Sequence, residues 1–85
     1  METQAHKKLQ KIINDGQETV TSLARKVGVS QPSASAWLLK RSRPEPHYRT
    51  VIRMLFGIPE NEWLTEEESA VIHRAEQAIS AIEAA

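Results

Sequence analysis

An all-α fold of five helices is what this sequence predicts, and three observations carry it. Ala, Leu, Ile, Glu, Lys and Arg dominate the 85 residues, and no stretch alternates β-branched with polar residues. Apolar residues recur at three- and four-residue spacing. Glycine, proline and small capping residues interrupt the chain wherever one of these stripes ends. A chain of this length forms one modest core, so a compact bundle or self-association must help hold it. With no cysteine it has neither a disulfide framework nor a thiolate metal site.

The first helix is predicted over 3–14. Ala5, Leu9, Ile12 and Ile13 line its buried face, and Lys7, Lys8 and Lys11 point outward. Asn14-Asp15-Gly16 reads as a turn. Thr19 is placed to cap a second helix over 20–27, with Leu23, Ala24 and Val27 on one face. Gly28 follows, suited to the left-handed residue just past a helix end. Val29 plugs the gap before the third helix. Ser30 is its N-cap, and Pro32 is tolerated in the first turn, where its missing N–H has no helical partner. The third helix is expected over 31–40, burying Ala34, Trp37 and Leu38. A basic, proline-bounded loop covers 41–45.

The fourth helix should begin at Pro46 or His47 and end at Phe56, burying Val51, Ile52, Leu55 and Phe56. Gly57 stops it, and Pro59 prevents its return. A short turn over 61–64 tucks Trp63 and Leu64 against the bundle. Thr65-Glu66-Glu67-Glu68 is a capping box whose acids complement the helix dipole. The fifth helix then runs over 66–84. Two segments are expected on this basis: 1–64 as the functional domain and 65–85 as an acidic, amphipathic helix.

Residues 20–37 are the most specific signal. Two short helices over a glycine-containing turn, with small Ala24 and Ala34 allowing close approach, form a helix-turn-helix. In such a motif the second helix enters the DNA major groove. Leu23-Ala24, Gly28-Val29-Ser30-Gln31 and Ala34-Ser35-x-Trp37, in register, resemble the lambda-repressor/Cro-like (XRE-type) DNA-binding domain. Downstream, Arg41-Ser42-Arg43-Pro44 resembles that family's basic loop. The segment from Ile52 to Leu64 resembles its closing helix. The likeness covers roughly residues 3–65 and implies a lambda-repressor-like fold. It also implies sequence-specific binding of double-stranded DNA. The chain departs from the family at Ala34, Pro32, Ala36 and Val20. Ala34 replaces a larger aliphatic residue. Pro32 and Val20 stand where glutamines make polar contacts, and Ala36 stands where a polar or basic residue reads bases.

Charge coincides with the motif. Residues 1–53 hold ten Lys and Arg against four acids, a net of +6, whereas 54–85 hold Arg74 against seven Glu, a net of −6. A neutral whole thus hides one anion-facing part. Phosphate contacts are expected from Lys40, Arg41 and Arg43, joined by His47 and Arg49, and from Thr21 or Ser22 at the start of the second helix. Base reading falls to Gln31, whose amide can bind adenine bidentately, with Ser33 and Ser35 weaker. Pro32 and Ala36 offer apolar contact only. Ser30 is read mainly as a cap, Arg25 and Lys26 as solvated, and Trp37 and Trp63 as core.

Ile72, Ala75, Ile79 and Ile82 repeat at 3-4-3 spacing, like a short coiled-coil seam. The stripe packs either on the bundle or on a second subunit. The second is favoured, because a dimer is the usual route to an inverted-repeat operator. No nucleophile–base set, Gly-rich phosphate loop or metal-ligand spacing is present; His6, His47 and His73 are dispersed. The expectation is therefore a non-enzymatic transcriptional regulator, most simply a repressor, with no cofactor. Its size resembles that of phage regulators and DNA-binding antitoxins. The competing expectation is a protein-interaction module or antitoxin-like adaptor in which the acidic helix takes a partner. No apolar run approaches membrane-spanning length and no signal-peptide pattern appears, so the expected setting is cytoplasmic, bacterial or phage-encoded.

Overall fold

The computed structural model describes residues 2–84. Among them are five α-helices, one 3-10 turn and no strand: α1 Gln4–Asn14, α2 Val20–Val27, α3 Gln31–Leu38, α4 Pro46–Phe56, the 3-10 turn Glu60–Trp63, and α5 Glu66–Ala84. The fold is all-α. No helix among the described residues is long and apolar enough to cross a membrane.

Helix ends follow local chemistry. Thr3 lies outside α1 as its N-cap, accepting from the His6 amide, so the helix begins one residue later than expected. Thr19 and Ser22 form a reciprocal capping box on α2. Gly28 adopts φ +88° and closes α2 with its N–H on the Ala24 carbonyl at 2.9 Å. Gly57, at φ +72°, ends α4 in the same way on Arg53. Glycine is favoured at both positions, because a Cβ makes left-handed backbone strained. The third helix stops at Leu38, short of the expected 40. Lys40 is left-handed at φ +60°, and Arg41 donates back to the Ala36 carbonyl at 2.9 Å. This closure needs a left-handed residue, and here a lysine fills the place usually given to glycine.

One core joins α1 to α4 and the 3-10 turn. Ala5, Leu9, Leu23, Ala24, Val27, Ala34, Trp37, Ile52, Ile58 and Trp63 form it. α2 packs on α3 and α4, α1 packs on α3, and the 3-10 turn sits against α1 and α4. Ile12 and Ile13 are only half-buried at the margin. Leu55, expected inside, is 46% exposed, because α4 turns Val51, Ile52 and Phe56 inward instead. Trp63 and Ile58 fill that space from the segment that follows.

α5 buries none of its residues. Val71, Ile72, Ile79 and Ile82 are all about half-exposed or more. Within one chain the stripe is therefore not packed on the bundle, and the longest extent of the molecule, 52 Å against 22 and 21 Å, reflects the extended helix. Its start is firmly tied. Thr65 N–H donates to Glu68 Oε1 at 2.8 Å, and the Glu68 amide donates to Thr65 Oγ1 at 3.2 Å, completing the capping box.

Candidate nucleic-acid interface

The surface begins with the orientation of α3. Burial of Ala34 and Trp37 against α2 and the core turns Gln31, Pro32 and Ser33 fully outward in the first turn. Ser35 and Ala36 are half-buried on its flank. Ser30 Oγ accepts from the Ser33 amide at 3.3 Å and lies 3.0 Å from Ser33 Oγ, so the Ser33 hydroxyl also serves the cap. Gln31 is the one exposed amide side chain on this turn. Beside α3 an open groove of about 690 Å³ runs past Val29, Pro32, Ala36 and Trp37 to Arg43 and Tyr48.

The cationic loop borders that groove, and its residues differ in what holds them. Arg41 is exposed and makes no side-chain hydrogen bond or ion pair among the described residues. Lys40 pairs directly with Glu2 at 3.0 Å near the surface, a contact that competes weakly with any anion. His47 is exposed, with its ring centroid 4.0 Å from that of Tyr48.

Three expected phosphate ligands are engaged elsewhere. Arg43 donates to the Trp63 carbonyl at 3.2 Å and pairs with Glu68, so its guanidinium ties the loop to the 3-10 turn and α5. The Arg43 pairing and the Thr65 amide together hold the Glu68 carboxyl down at about 2. Arg49 donates to the Pro44 carbonyl at 2.7 Å, and burial, then Arg43, pulls it below the ordinary arginine range. Ser22 donates to Glu18, which also pairs with Lys26. Lys26 and then Ser22 lower the Glu18 carboxyl. That carboxylate sits at the α2 N-terminus, where a phosphate was expected. Of the two hydroxyls there, Thr21 is the exposed one. Spacing alone gives no sign of these engagements, because each partner comes from a different turn or element.

His6, one of three histidines dispersed along the sequence, is a further residue that bears on this surface. It is 1% exposed, stacked edge-on to Trp63 at 5.0 Å, and its Nε2 lies 2.9 Å from the Ser42 carbonyl. Burial holds the imidazole below its ordinary value. The Ser42 bond partly offsets this, and Arg43 and Lys40 add to the lowering. The signal was available: position 6 lies three residues before Leu9 on the buried stripe. Among the described residues no group of three or more His, Cys, Asp or Glu side chains gathers as a metal would require.

The seam residues Ile72, Ala75, Ile79 and Ile82 lie on exposed α5, away from α3 and its loop. Comparison with known proteins gives no further guide: no family model, no curated protein and no solved structure matches the chain.

Proposed function

We propose that this protein binds double-stranded DNA sequence-specifically, with α3 in the major groove, and acts as a transcriptional regulator, most simply a repressor. One observation supports this above the rest. The first turn of α3 is outward-facing at Gln31, Pro32 and Ser33, over a buried Ala34 and Trp37, and a half-buried Lys40 and an exposed Arg41 follow directly beyond its end. That is the disposition a reading helix needs: base-edge groups on one face, packing on the other, and cations at its end for the phosphates.

In this reading Gln31 supplies the polar base contact and Pro32 and Ala36 pack against a thymine methyl or sugar. With so few polar groups, DNA shape and half-site spacing carry part of the specificity. Lys40 and Arg41 hold phosphates, assisted by His47 and by Thr21 with the α2 amides. Arg43 and Arg49 act as struts of the loop. Two chains joined through Ile72, Ala75, Ile79 and Ile82 would read an inverted repeat.

Salt dependence tests the DNA claim. Duplex affinity falls linearly on a log–log plot with a slope near −0.9 per neutralised phosphate, and Arg41→Ala lowers that slope by about 1. A flat salt response, or equal slopes in both proteins, contradicts the assignment.

A second reading is favoured by the uncovered apolar face of α5, with Ile72 45% and Ile82 75% exposed beside Glu76 and Glu83. Here the helix captures a different protein and the bundle is its support. The two readings separate on solution mass, which doubles on its own only under self-pairing.

A further inference from the structure

The basic loop that follows α3 has no regular structure to fix it, yet its backbone is pinned at Ser42. The pin comes from the opposite end of the sequence. His6, in the first turn of α1, places Nε2 2.9 Å from the Ser42 carbonyl. Its other nitrogen, Nδ1, lies 3.2 Å from the Thr3 backbone nitrogen and 2.8 Å from Thr3 Oγ1. A backbone N–H only donates, so Nδ1 must accept. The proton of the neutral ring therefore sits on Nε2 and is donated to Ser42. One imidazole thus closes the α1 capping box with one nitrogen and holds the loop with the other. Trp63 walls the ring from the side, edge-on at 5.0 Å.

We propose that His6 is a positioning residue for DNA binding, holding the Ser42 backbone so that Lys40 and Arg41 on its N-terminal side stand at phosphate height beside α3. This rests on the DNA-binding reading of the same surface.

The arrangement has a consequence in acid. A proton on Nδ1 would set two N–H groups against each other and open the cap. The charged groups facing the ring are Lys40 and Arg43 from the loop side, Arg43 being paired to Glu68 of α5, and Glu2 from the segment before α1. Burial, the N-terminal ammonium and the two cations oppose the imidazolium; the Ser42 carbonyl and Glu2 favour it. The folded-state value lies below the reference of 6.5, so the unfolded chain binds more protons once the pH falls beneath it. The stabilisation is complete above the unfolded reference of 6.5 and is lost as pH falls from there through the folded-state value. Loop order and duplex affinity should decline together in mild acid, although the protein gains positive charge. Simple phosphate attraction predicts the opposite sign.

The test uses the full chain, with amide exchange protection of Arg41, the loop N–H bonded to the Ala36 carbonyl at 2.9 Å, followed from about pH 7 to about pH 5. Wild type should lose about tenfold of its protection there while amides of α2 and α3 keep theirs. His6→Gln, whose amide nitrogen can still reach the Ser42 carbonyl, should keep the loop protected at both pH values. His6→Asn can accept at the cap but falls short of Ser42. It should leave the loop unprotected throughout and reduce the salt slope of duplex binding by about 1. Loop protection retained in His6→Asn would overturn the proposal. Should that variant fail to fold, the ring nitrogen shifts of wild type decide: a proton on Nδ1 rather than Nε2 at neutral pH contradicts it equally. A wild type indifferent to duplex DNA removes the function proposed above, whereas the ring–loop link stands or falls on the protection factors alone.

Discussion

The bundle of α1 to α4 and the helix α5 have the same kind of apolar periodicity and opposite fates. In the bundle, stripes at three- and four-residue spacing converge on one core, with Leu9, Leu23, Ile52 and Trp63 fully enclosed. In α5 an equally regular stripe from Ile72 to Ile82 is buried nowhere among the described residues. Periodicity specifies a helix and one sticky face. Whether the same chain supplies the cover depends on length, connection and charge. α5 leaves the bundle after a proline-bounded turn, carries the acids, and is tied at its first turn through Thr65, Glu68 and Arg43.

The sharpest way to break this contrast is to cut matching side chains in the two regions. Leu23→Ala should cost about 2–5 kcal/mol in urea unfolding, through lost burial and the cavity left behind. Ile82→Ala, at 75% exposure, should cost less than about 0.5 kcal/mol in dilute protein but weaken any concentration-dependent mass. Equal costs at both positions would mean that α5 is covered in solution even at low concentration.

The next effect lies within the bundle's exposed face. Gln31→Ala should erase about 1–3 kcal/mol of discrimination at one base position in competition binding, with the fold unchanged. An unaltered preference removes Gln31 from base reading.

A smaller effect is expected at Lys40. Lys40→Gly should raise stability by about 0.5–1 kcal/mol in thermal or urea unfolding, since glycine meets no Cβ penalty at φ +60°. The same change should lower the salt slope of duplex binding by about 1. Stabilisation with weaker binding would mark the left-handed lysine as strain kept for function.

The smallest effect concerns the joint between the regions. Glu68 titrates at about 2 rather than 4.5, so its contribution is present above the upper value and fades as pH falls toward the lower. Glu68→Gln should remove this pH dependence and leave Arg43 without its carboxylate partner. Unfolding curves of the two proteins should then differ most at neutral pH and converge near pH 2. A constant gap across that range contradicts the pairing.

What the sequence made legible was local. The bounds of α2, α4 and α5, the caps at Thr19 and Thr65, and the stops at Gly28 and Gly57 follow from neighbours within a turn, and they appear where expected. The exposure of Gln31 and the burial of Ala34 and Trp37 follow from the same register. What remained hidden required partners distant in sequence. Arg43 reads as a surface cation because Trp63 and Glu68 lie 20 and 25 residues away, and Arg49 does so because spacing does not show the loop folding its Pro44 carbonyl back onto α4. His6 read as isolated because Ser42 lies 36 residues away. Leu55 read as core because its apolar neighbours on α4 do face inward, and a stripe of four leaves the helix's exact rotation open by one position. The short third helix was hidden by Lys40, whose identity gives no hint of a left-handed backbone.

The most direct test of the central claim is selection of bound duplexes from a random pool by the full chain at about 150 mM salt, where non-specific phosphate attraction is reduced. An enriched, two-fold symmetric motif is expected, with half-sites about one helical turn apart or a multiple of it, and Gln31→Ala should lose its preferred base. A pool that emerges without enrichment would contradict the claim and turn attention to a protein partner for α5.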